Sequence, residues 1–517
     1  MQRNILEYLE HAHHDCHRPA VIDNGKRYTF QELERYAWTC GSLLAQKCDL
    51  MGRPIAVYLP KSAEVIFADL GIVYSGNCYM NLDVKNPAQR VKAILENIEP
   101  VFIITSSALA GNLLQIGVPP ERILFIEEIL RAPLIESSDA LWRRLENMID
   151  TDPLCIINTS GSTGVPKGVV LNHRSTIDFM DWCFDRLKLD GNHRIGSLSP
   201  FYFDIYTLEL NLCLAKGATI VIIPESLAAF PAKLMSFISS SAISFVFWVP
   251  TIMVNIAEQG LLDAFDLSSL REVLFAGEVF PTKHLNRWRR TLHNARFINL
   301  YGPIEITVDC TYFIVERKMD DDEALPIGFP CRNSDVLILN DQNNIAQIDE
   351  RGELCVRGTS LAMGYWNDAE KTAKAFVQNP LNQNYPELIY RTGDLVYRND
   401  RNEIMYVGRK DYQVKHLGYR IELLEIEHQV LSIPEISNAC VLYNKEQREI
   451  TLFYESPAYD VSDASIRTGL SKTLPKYMLP TVFVRMSELP RNPNGKIDRN
   501  GLQKRMQNAS YALTAKH

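Results

Sequence analysis

Long apolar runs, paired cysteines, internal repeats and a strong charge of either sign are all missing from this chain of 517 residues. Its 11 cysteines are scattered singly, without a CxxC pair or zinc-type spacing. That argues against a zinc site and reads as buried, reduced thiols of a cytosolic protein. The first residues, MQRNILEYLEHAHHDCH, are polar and offer no signal-peptide core. The most apolar early stretch, Val65 to Met80, is broken by Asp69, Ser75 and Asn77. It reads as a core helix and strand, not a membrane span. Lys and Arg number 54 against 62 Asp and Glu, a net charge of −8. So mild an acidic excess argues against nucleic acid as the main partner, yet leaves room for a local basic groove around a polyphosphate.

What is present is an ordinary globular composition, 46% hydrophobic and 22% charged, in a chain too long for one core. Short β-branched runs recur at helix-length intervals: PIAVYLP (54–60), PVFIITS (100–106), RILFIEE (122–128), ATIVIIP (218–224) and SFVFWVP (244–250). Continuous apolar strands separated by helices predict mainly parallel sheets, hence an α/β class. The texture changes after about residue 395, where YRNDRNEIMYVGRKDYQVK reads as turns and hairpin strands. Within it, GRKD (408–411) reads as a linker or hinge, with an ordinary hairpin turn as the alternative.

The strongest local signal is NTSGSTGVPKGVV, residues 158–170, directly after the strand-like LCIIN. Glycines let backbone N–H groups approach an anion closely, and hydroxyls and a lysine add donors and positive charge. This is the composition of a phosphate cradle. The GxxxxGK[ST] spacing of a Walker A loop is absent; Gly164 and Lys167 are split by a Val-Pro pair, and a second glycine follows the lysine.

Loops of this type ending in PKG are the signature of the adenylate-forming superfamily, which the chain resembles over nearly its whole length. The other motifs follow in order: YGPIE (301–305), GELCVRG (352–358), YRTGD (390–394), GRKDYQVKHLGYRIELLEIE (408–427) and NPNGKID (492–498). The resemblance implies a large N-terminal α/β domain of parallel-rich sheets with packed helices (1–407), a hinge (408–411), and a small mobile C-terminal α+β lid (412–517). It also implies a cytoplasmic, ATP- and Mg2+-dependent ligase with no membrane or nucleic-acid partner.

By resemblance, the loop residues Thr159, Ser160, Gly161, Ser162, Thr163, Gly164 and Lys167 hold the β- and γ-phosphates. Tyr301 resembles the aromatic that stacks on adenine, with Gly277 and Gly302 completing the nucleotide set. Asp394 resembles the carboxylate that accepts both ribose hydroxyls, and Arg409 the basic residue beside them. Glu305 resembles the magnesium-associated glutamate. Lys496 resembles the adenylation lysine, whose ammonium neutralises charge growing between the carboxylate and the α-phosphate; Thr163 and Glu305 join it in the catalytic set. Asp411 resembles the hinge about which the lid rotates, and Gly418 the point where the thiol substrate's arm passes close to the backbone. One departure is Ile304, where the family carries threonine; Thr307 or the main loop could compensate for that hydroxyl, and the sequence does not decide between them.

FYFDIYTLEL (201–210) bears on the substrate. In amino-acid-activating members the aspartate of the FD pair binds the α-ammonium, and Asp204 falls there. The remaining pocket positions are Ile205, Leu208, Phe247, Leu274, Ala276, Leu300, Val308 and Asp309, closed by Lys496. This order resembles stand-alone ligases that load L-proline onto a peptidyl carrier protein. Phe247 stands where those carry tyrosine and Asp309 where they carry cysteine, which points to proline or a relative of it. A D-alanine–carrier protein ligase is the runner-up, although that family carries cysteine where this chain has Ala276. Acyl- or aryl-CoA ligases and a nucleotide-binding pseudoenzyme are the further alternatives. With about twenty residues after Lys496 and no phosphopantetheine-attachment motif, the expected acceptor is the phosphopantetheine thiol of a separate carrier protein.

Overall fold

The computed structural model describes residues 2–11, 16–133, 135, 138–161, 165–456, 461–491 and 497–514. Two units emerge. One contains residues 1–84, 98–158 and 168–410; the other contains 85–97, 159–167 and 411–517.

The larger unit is α/β, as the strand runs predicted. Its nine-stranded sheet runs in the order Phe329–Pro330, Thr311–Ile314, Arg296–Tyr301, Glu272–Phe275, Phe245–Trp248, Arg194–Ser197, Thr219–Ile222, Pro19–Asp23 and Lys26–Thr29. The six strands from Arg296–Tyr301 to Pro19–Asp23 are parallel, and antiparallel strands close both edges. Buried apolar strands such as FVFW and TIVI expose neither face to water, which is why they lack alternation. Successive side chains still point to opposite faces. Phe245 and Phe247 join one core with Leu274, Ile298 and Leu300; Val246, Trp248, Val273 and Phe275 join the other. Helix Asp204–Lys216 belongs to the first core, buries residues 206–214, and ends at Gly217 in the left-handed conformation.

A second sheet of seven strands contains Pro54–Tyr58, Cys78–Asn81, Phe102–Thr105 and Ile123–Phe125, all parallel, and the pair Pro153–Thr159 and Lys167–Asn172 that flanks the glycine-rich loop. The run expected as strand over 122–128 turns helical at Ile126. Glu127 and Glu128 sit in the first turn of that helix, where its dipole favours acidic side chains. The Val65–Met80 stretch is helix Ala63–Tyr74 followed by strand Cys78–Asn81. Among the described residues no helix is long and apolar enough to cross a membrane. All eleven cysteines are free thiols, and all but Cys16 and Cys48 are buried.

A third, antiparallel sheet pairs Leu388–Arg398 with Ile404–Arg409. Gly408 and Arg409 therefore finish a strand, and the turn of that hairpin lies earlier, at 399–403; GRKD is not a hairpin turn.

The smaller unit has its own core, built around Ile421, Ile426, Val430, Val441 and Leu452. Hairpin Gln413–His416/Tyr419–Glu422 turns through Leu417 and Gly418, at φ +52° and +83°, as a two-residue hairpin loop requires. Helix Leu423–Leu431 follows, then strands Asn438–Asn444, Glu449–Glu455 and Val482–Met486 in one sheet, with helices Asp463–Leu470 and Arg499–Thr514.

Helices Phe30–Lys47 and Ala63–Tyr74 approach each other through Gly71. A Cβ there would lie 2.4 Å from Cys40 Cβ and 2.9 Å from the Ala37 carbonyl oxygen. Gly71→Ala is therefore expected to destabilise the larger unit by about 2 kcal/mol, read as a lowered denaturant midpoint at unchanged slope.

Candidate active site

In an open parallel sheet, ligands collect outside the carboxyl ends of the strands, near the point where strand order reverses. Here Arg194–Ser197 lies between Phe245–Trp248 and Thr219–Ile222. The sequence-predicted substrate residues fall at the carboxyl ends of these and the adjoining strands. Asp204 opens the helix that follows Arg194–Ser197 and lies in its first turn. Phe247, Leu274, Ala276 and Leu300 come from three adjacent strands or just after them, and share one buried core with Leu208 and Val308; Ile205 packs against it. Gly277 follows at φ +95°.

Asp309 is 2% exposed. Burial, and then the Asp309 charge, push the Cys183 and Cys310 thiols well up. The carboxylate thus sits beside buried cysteines rather than on an open rim.

Two buried carboxylates anchor the helix of Asp204, and neither carries a motif that would mark it in the sequence. Asp69 Oδ2 accepts from Tyr206 Oη at 2.8 Å and from Asn81 Nδ2 at 2.9 Å; Asn81 Nδ2 also reaches the Phe201 carbonyl at 3.2 Å. Phe201 and Tyr206 flank Asp204, and their rings stack at 4.1 Å. Glu209 Oε2 accepts from Ser197 Oγ at 2.5 Å, while Lys61 Nζ donates to the Ser197 carbonyl at 2.7 Å. Burial raises Asp69 to about 7, against the two hydrogen bonds that lower it, and Glu209 to about 7, against Lys61.

The nucleotide candidates gather around Asp394. Tyr301, at the end of its strand, donates its hydroxyl to Asp394 Oδ2. Arg409, opposite Asp394 in the neighbouring strand, donates to Oδ1 at 3.1 Å. The Asp394 N–H donates to Thr392 Oγ1 at 3.0 Å. Burial, and next the Asp394 charge, hold the Tyr301 phenol well above its ordinary range.

Gly302 is required by close approach: a Cβ there would lie 2.4 Å from Asp309 Cα. Glu305 is fully buried and accepts from Tyr365 Oη at 2.9 Å. Among the described residues no group of three or more His, Cys, Asp or Glu side chains gathers to hold a metal. A single carboxylate still suits Mg2+, which takes one or two carboxylates alongside phosphate oxygens. Ile304 packs against the apolar core. Thr307 does not replace the missing hydroxyl: its Oγ1 is fully buried and donates to the Ser360 carbonyl at 2.9 Å. The chain reverses there through Thr307 and Val308, both at positive φ.

In the glycine-rich loop, Ser162, Thr163 and Gly164 lie outside the described residues, as does Lys496. Thr159 Oγ1 and both polar side-chain atoms of Asn158 are buried without a hydrogen-bond partner among the described residues. Buried polar atoms left without a partner are rare; as successive residues of one strand, Asn158 and Thr159 point to opposite faces. Gly161 meets the loop's own backbone: a Cβ there would lie 2.1 Å from the Val165 carbonyl oxygen. Lys167 begins the following strand. In the smaller unit, Asp411 Oδ1 accepts from the Gln413 N–H at 3.2 Å, and Gly418 sits in the hairpin turn.

Residues 9–366 match the sequence model of the family described as AMP-binding enzyme. Tyrocidine synthase 1 of Brevibacillus parabrevis is 29% identical over 97% of this chain and 45% of its own length. Gramicidin S synthase 2 of Brevibacillus brevis is 31% identical over 93% of this chain and 10% of its own length. The chain therefore spans less than half the length of these relatives. A solved structure of a nonribosomal peptide synthetase protein containing adenylation and peptidyl carrier domains, bound to a vinylsulfonamide inhibitor, superposes with a TM-score of 0.82 at 25% identity. The match covers 97% of this chain and 84% of that one. The Vibrio cholerae adenylation domain AlmE, in complex with glycyl-adenosine-5'-phosphate, superposes with a TM-score of 0.82 at 21% identity over 98% of both chains. The fold is the α/β adenylation-domain fold, with a large N-terminal part and a small C-terminal one.

The raised Asp69 carboxyl carries a pH prediction. The folded state holds its proton up to about 7, whereas the unfolded chain releases it near 4. Stability is then greatest below the unfolded value and falls as pH rises through about 7, with a slope of up to about 1.4 kcal/mol per pH unit from this group. Asp69→Asn should flatten the decline between pH 5 and 7.5 relative to the wild type, measured by denaturant unfolding at each pH.

Proposed function

The chain belongs to the AMP-binding enzymes, the adenylate-forming ligases, and from that premise we propose that it activates a small amino acid, best L-proline or a proline-like imino acid. The observation that carries this reading is Asp204 in the first turn of a buried helix, beside a core made of Leu208, Phe247, Leu274, Ala276, Leu300 and Val308. A carboxylate against so apolar a floor matches an ammonium ion on a compact apolar skeleton, because a desolvated charge needs a charged partner. A fatty or aryl acid brings no such charge. Buried Asp309 favours a ring with a further polar group over a plain one.

In the reaction we infer, a carboxylate oxygen of the amino acid attacks the α-phosphorus of ATP, the bond to the bridging oxygen breaks, and pyrophosphate leaves. Asp204 would hold the ammonium, so that the carboxylate points at the nucleotide. Tyr301 would stack on adenine, and Asp394 would take the ribose hydroxyls on the acceptor sites that Tyr301 and Arg409 leave open. The loop from Thr159 to Lys167, with Ser162, Thr163 and Gly164, would hold the β- and γ-phosphates, where the orphaned Thr159 hydroxyl is a ready donor. Mg2+, when bound, would offset charge on the phosphate oxygens, with Glu305 as its protein ligand. Lys496 would neutralise the charge that grows between carboxylate and phosphate, which is positioning plus electrostatics rather than covalent chemistry.

The second half-reaction is acyl transfer. The phosphopantetheine thiol of a carrier protein or domain attacks the acyl carbon and loses its proton, a thioester forms, and AMP departs. Asp411 is the proposed hinge for exposing the adenylate, and Gly418 the proposed contact for the pantetheine arm, where the absence of a side chain leaves room.

Amino-acid-dependent ATP–pyrophosphate exchange tests the reading. Across proline, hydroxy- and methyl-prolines, D-alanine, L-alanine, valine and an aryl acid, the proline group should give the highest kcat/KM. Exchange with the aryl acid but with no amino acid would sink it. Asp204→Asn should lower exchange on the order of 100-fold. Lys496→Ala should abolish exchange while ATP still binds; normal exchange in that variant would remove the lysine from its role.

A further inference from the structure

Asp69 is buried in the middle of helix Ala63–Tyr74, and the proposed reaction gives it no task. Taking a carboxyl out of water is costly unless hydrogen bonds replace the water. Here both of its hydrogen bonds lead to the segment that carries Asp204. Tyr206 Oη donates to Oδ2 at 2.8 Å, and Asn81 Nδ2 donates to the same oxygen at 2.9 Å. Asn81 Nδ2 also donates to the Phe201 carbonyl at 3.2 Å. Phe201 lies three residues before Asp204 and Tyr206 two residues after it, and their rings stack with centroids 4.1 Å apart. One carboxyl oxygen thus holds the chain on both sides of Asp204, directly at Tyr206 and through Asn81 at Phe201. The helix that Asp204 opens has Phe203 at its N-cap, where a phenyl ring cannot accept from the first helical N–H groups as a capping side chain does.

Oδ1 of Asp69 is buried without a hydrogen-bond partner among the described residues. A proton on Oδ1 leaves both bonds to Oδ2 intact, and burial favours that neutral form, raising the group to about 7. The ionisable groups that feel its charge, Cys40, Tyr79, Cys155 and Tyr206, are held neutral by burial as well. Cys155 also feels the Asp204 charge. A neutral tether puts no second negative charge behind Asp204 to compete for a cation. We propose that Asp69 is a positioning residue for substrate recognition: through Tyr206, and through Asn81 and Phe201, it sets where the Asp204 carboxylate stands, and with it the affinity of the site for the substrate's ammonium. This rests on the reading of Asp204 as the ammonium's partner.

The test is ATP–pyrophosphate exchange with whichever of L-proline, L-alanine, D-alanine and valine exchanges best, with KM measured separately for the amino acid and for ATP. Tyr206→Phe and Asn81→Ala each remove one arm of the tether. The double replacement Asp69→Leu with Tyr206→Phe guards against misfolding, because exchanging both partners of a buried hydrogen bond for apolar groups of similar shape is tolerated where orphaning one is not. Asp204→Asn is the reference. A misplacement of about 1 Å can cost on the order of 100-fold, so each of the three tether variants should raise the amino-acid KM about tenfold, with kcat and the KM for ATP within about twofold of the wild type. An unchanged amino-acid KM in the double variant, or an equal rise in both KM values, with Asp204→Asn impaired, overturns the proposal and leaves the Asp204 reading standing; Asp69 then serves packing alone. Wild-type exchange by Asp204→Asn, or no exchange with any of the four amino acids, overturns the Asp204 reading and the proposal together.

Discussion

The hydrogen bond from Tyr301 to Asp394 joins the strand that closes the parallel run of the nine-stranded sheet to the antiparallel sheet that carries Arg409. Tyr301, Asp394 and Arg409, the residues proposed for the adenosine, meet at that joint. Tyr301 ends the strand whose preceding residue but one, Asn299, pairs with Phe275, so the aromatic is fixed by the sheet that also carries Leu274 and Leu300. Asp394 is fixed from the other direction by Arg409 and Thr392. A carboxylate has about four lone-pair sites, and Tyr301 and Arg409 each donate to one of its two oxygens. A buried acid held so keeps one orientation, which is what electrostatic preorganisation asks of a charged group.

The substrate side follows a different rule. The residues proposed for it, Phe247, Leu274 and Leu300, are side chains that a parallel sheet buries anyway, so an apolar floor there would be a by-product of the fold. The costly element is the charge at its edge. Asp204 is held by a helix that Asp69 and Glu209 tie to its surroundings through Tyr206 and Ser197. These tethers hold the helix that carries Asp204, and Gly302 packs closely against the backbone of Asp309.

The α/β class was legible because runs such as FVFW and TIVI, apolar at every position and bounded by polar or proline residues, are what a strand buried on both faces needs. The pocket candidates were read from the order of family motifs alone, and the structure places Phe247, Leu274 and Leu300 in one apolar core. RILFIEE misled at its end because periodicity alone does not distinguish a short buried strand from the helix that begins at Ile126 with two glutamates in its first turn. Thr307 stayed open as a replacement because a sequence shows a hydroxyl but not its partner, here the Ser360 carbonyl. Asp69 read only as a break in an apolar run, and its bond to Tyr206 could not be read at all, since no local spacing links positions so far apart. Contacts that close long loops are the ones that sequence patterns carry least.

The central claim is that Asp204 reads an ammonium ion. The most direct measurement compares exchange with the preferred amino acid and with its isostere bearing CH2 or hydrogen in place of the amine, for example L-proline and cyclopentanecarboxylate. A site built around a charged hydrogen bond should reject the isostere by on the order of 10⁴-fold in kcat/KM, and Asp204→Ala should erase most of that preference. Comparable exchange with both acids by the unaltered enzyme would contradict the account.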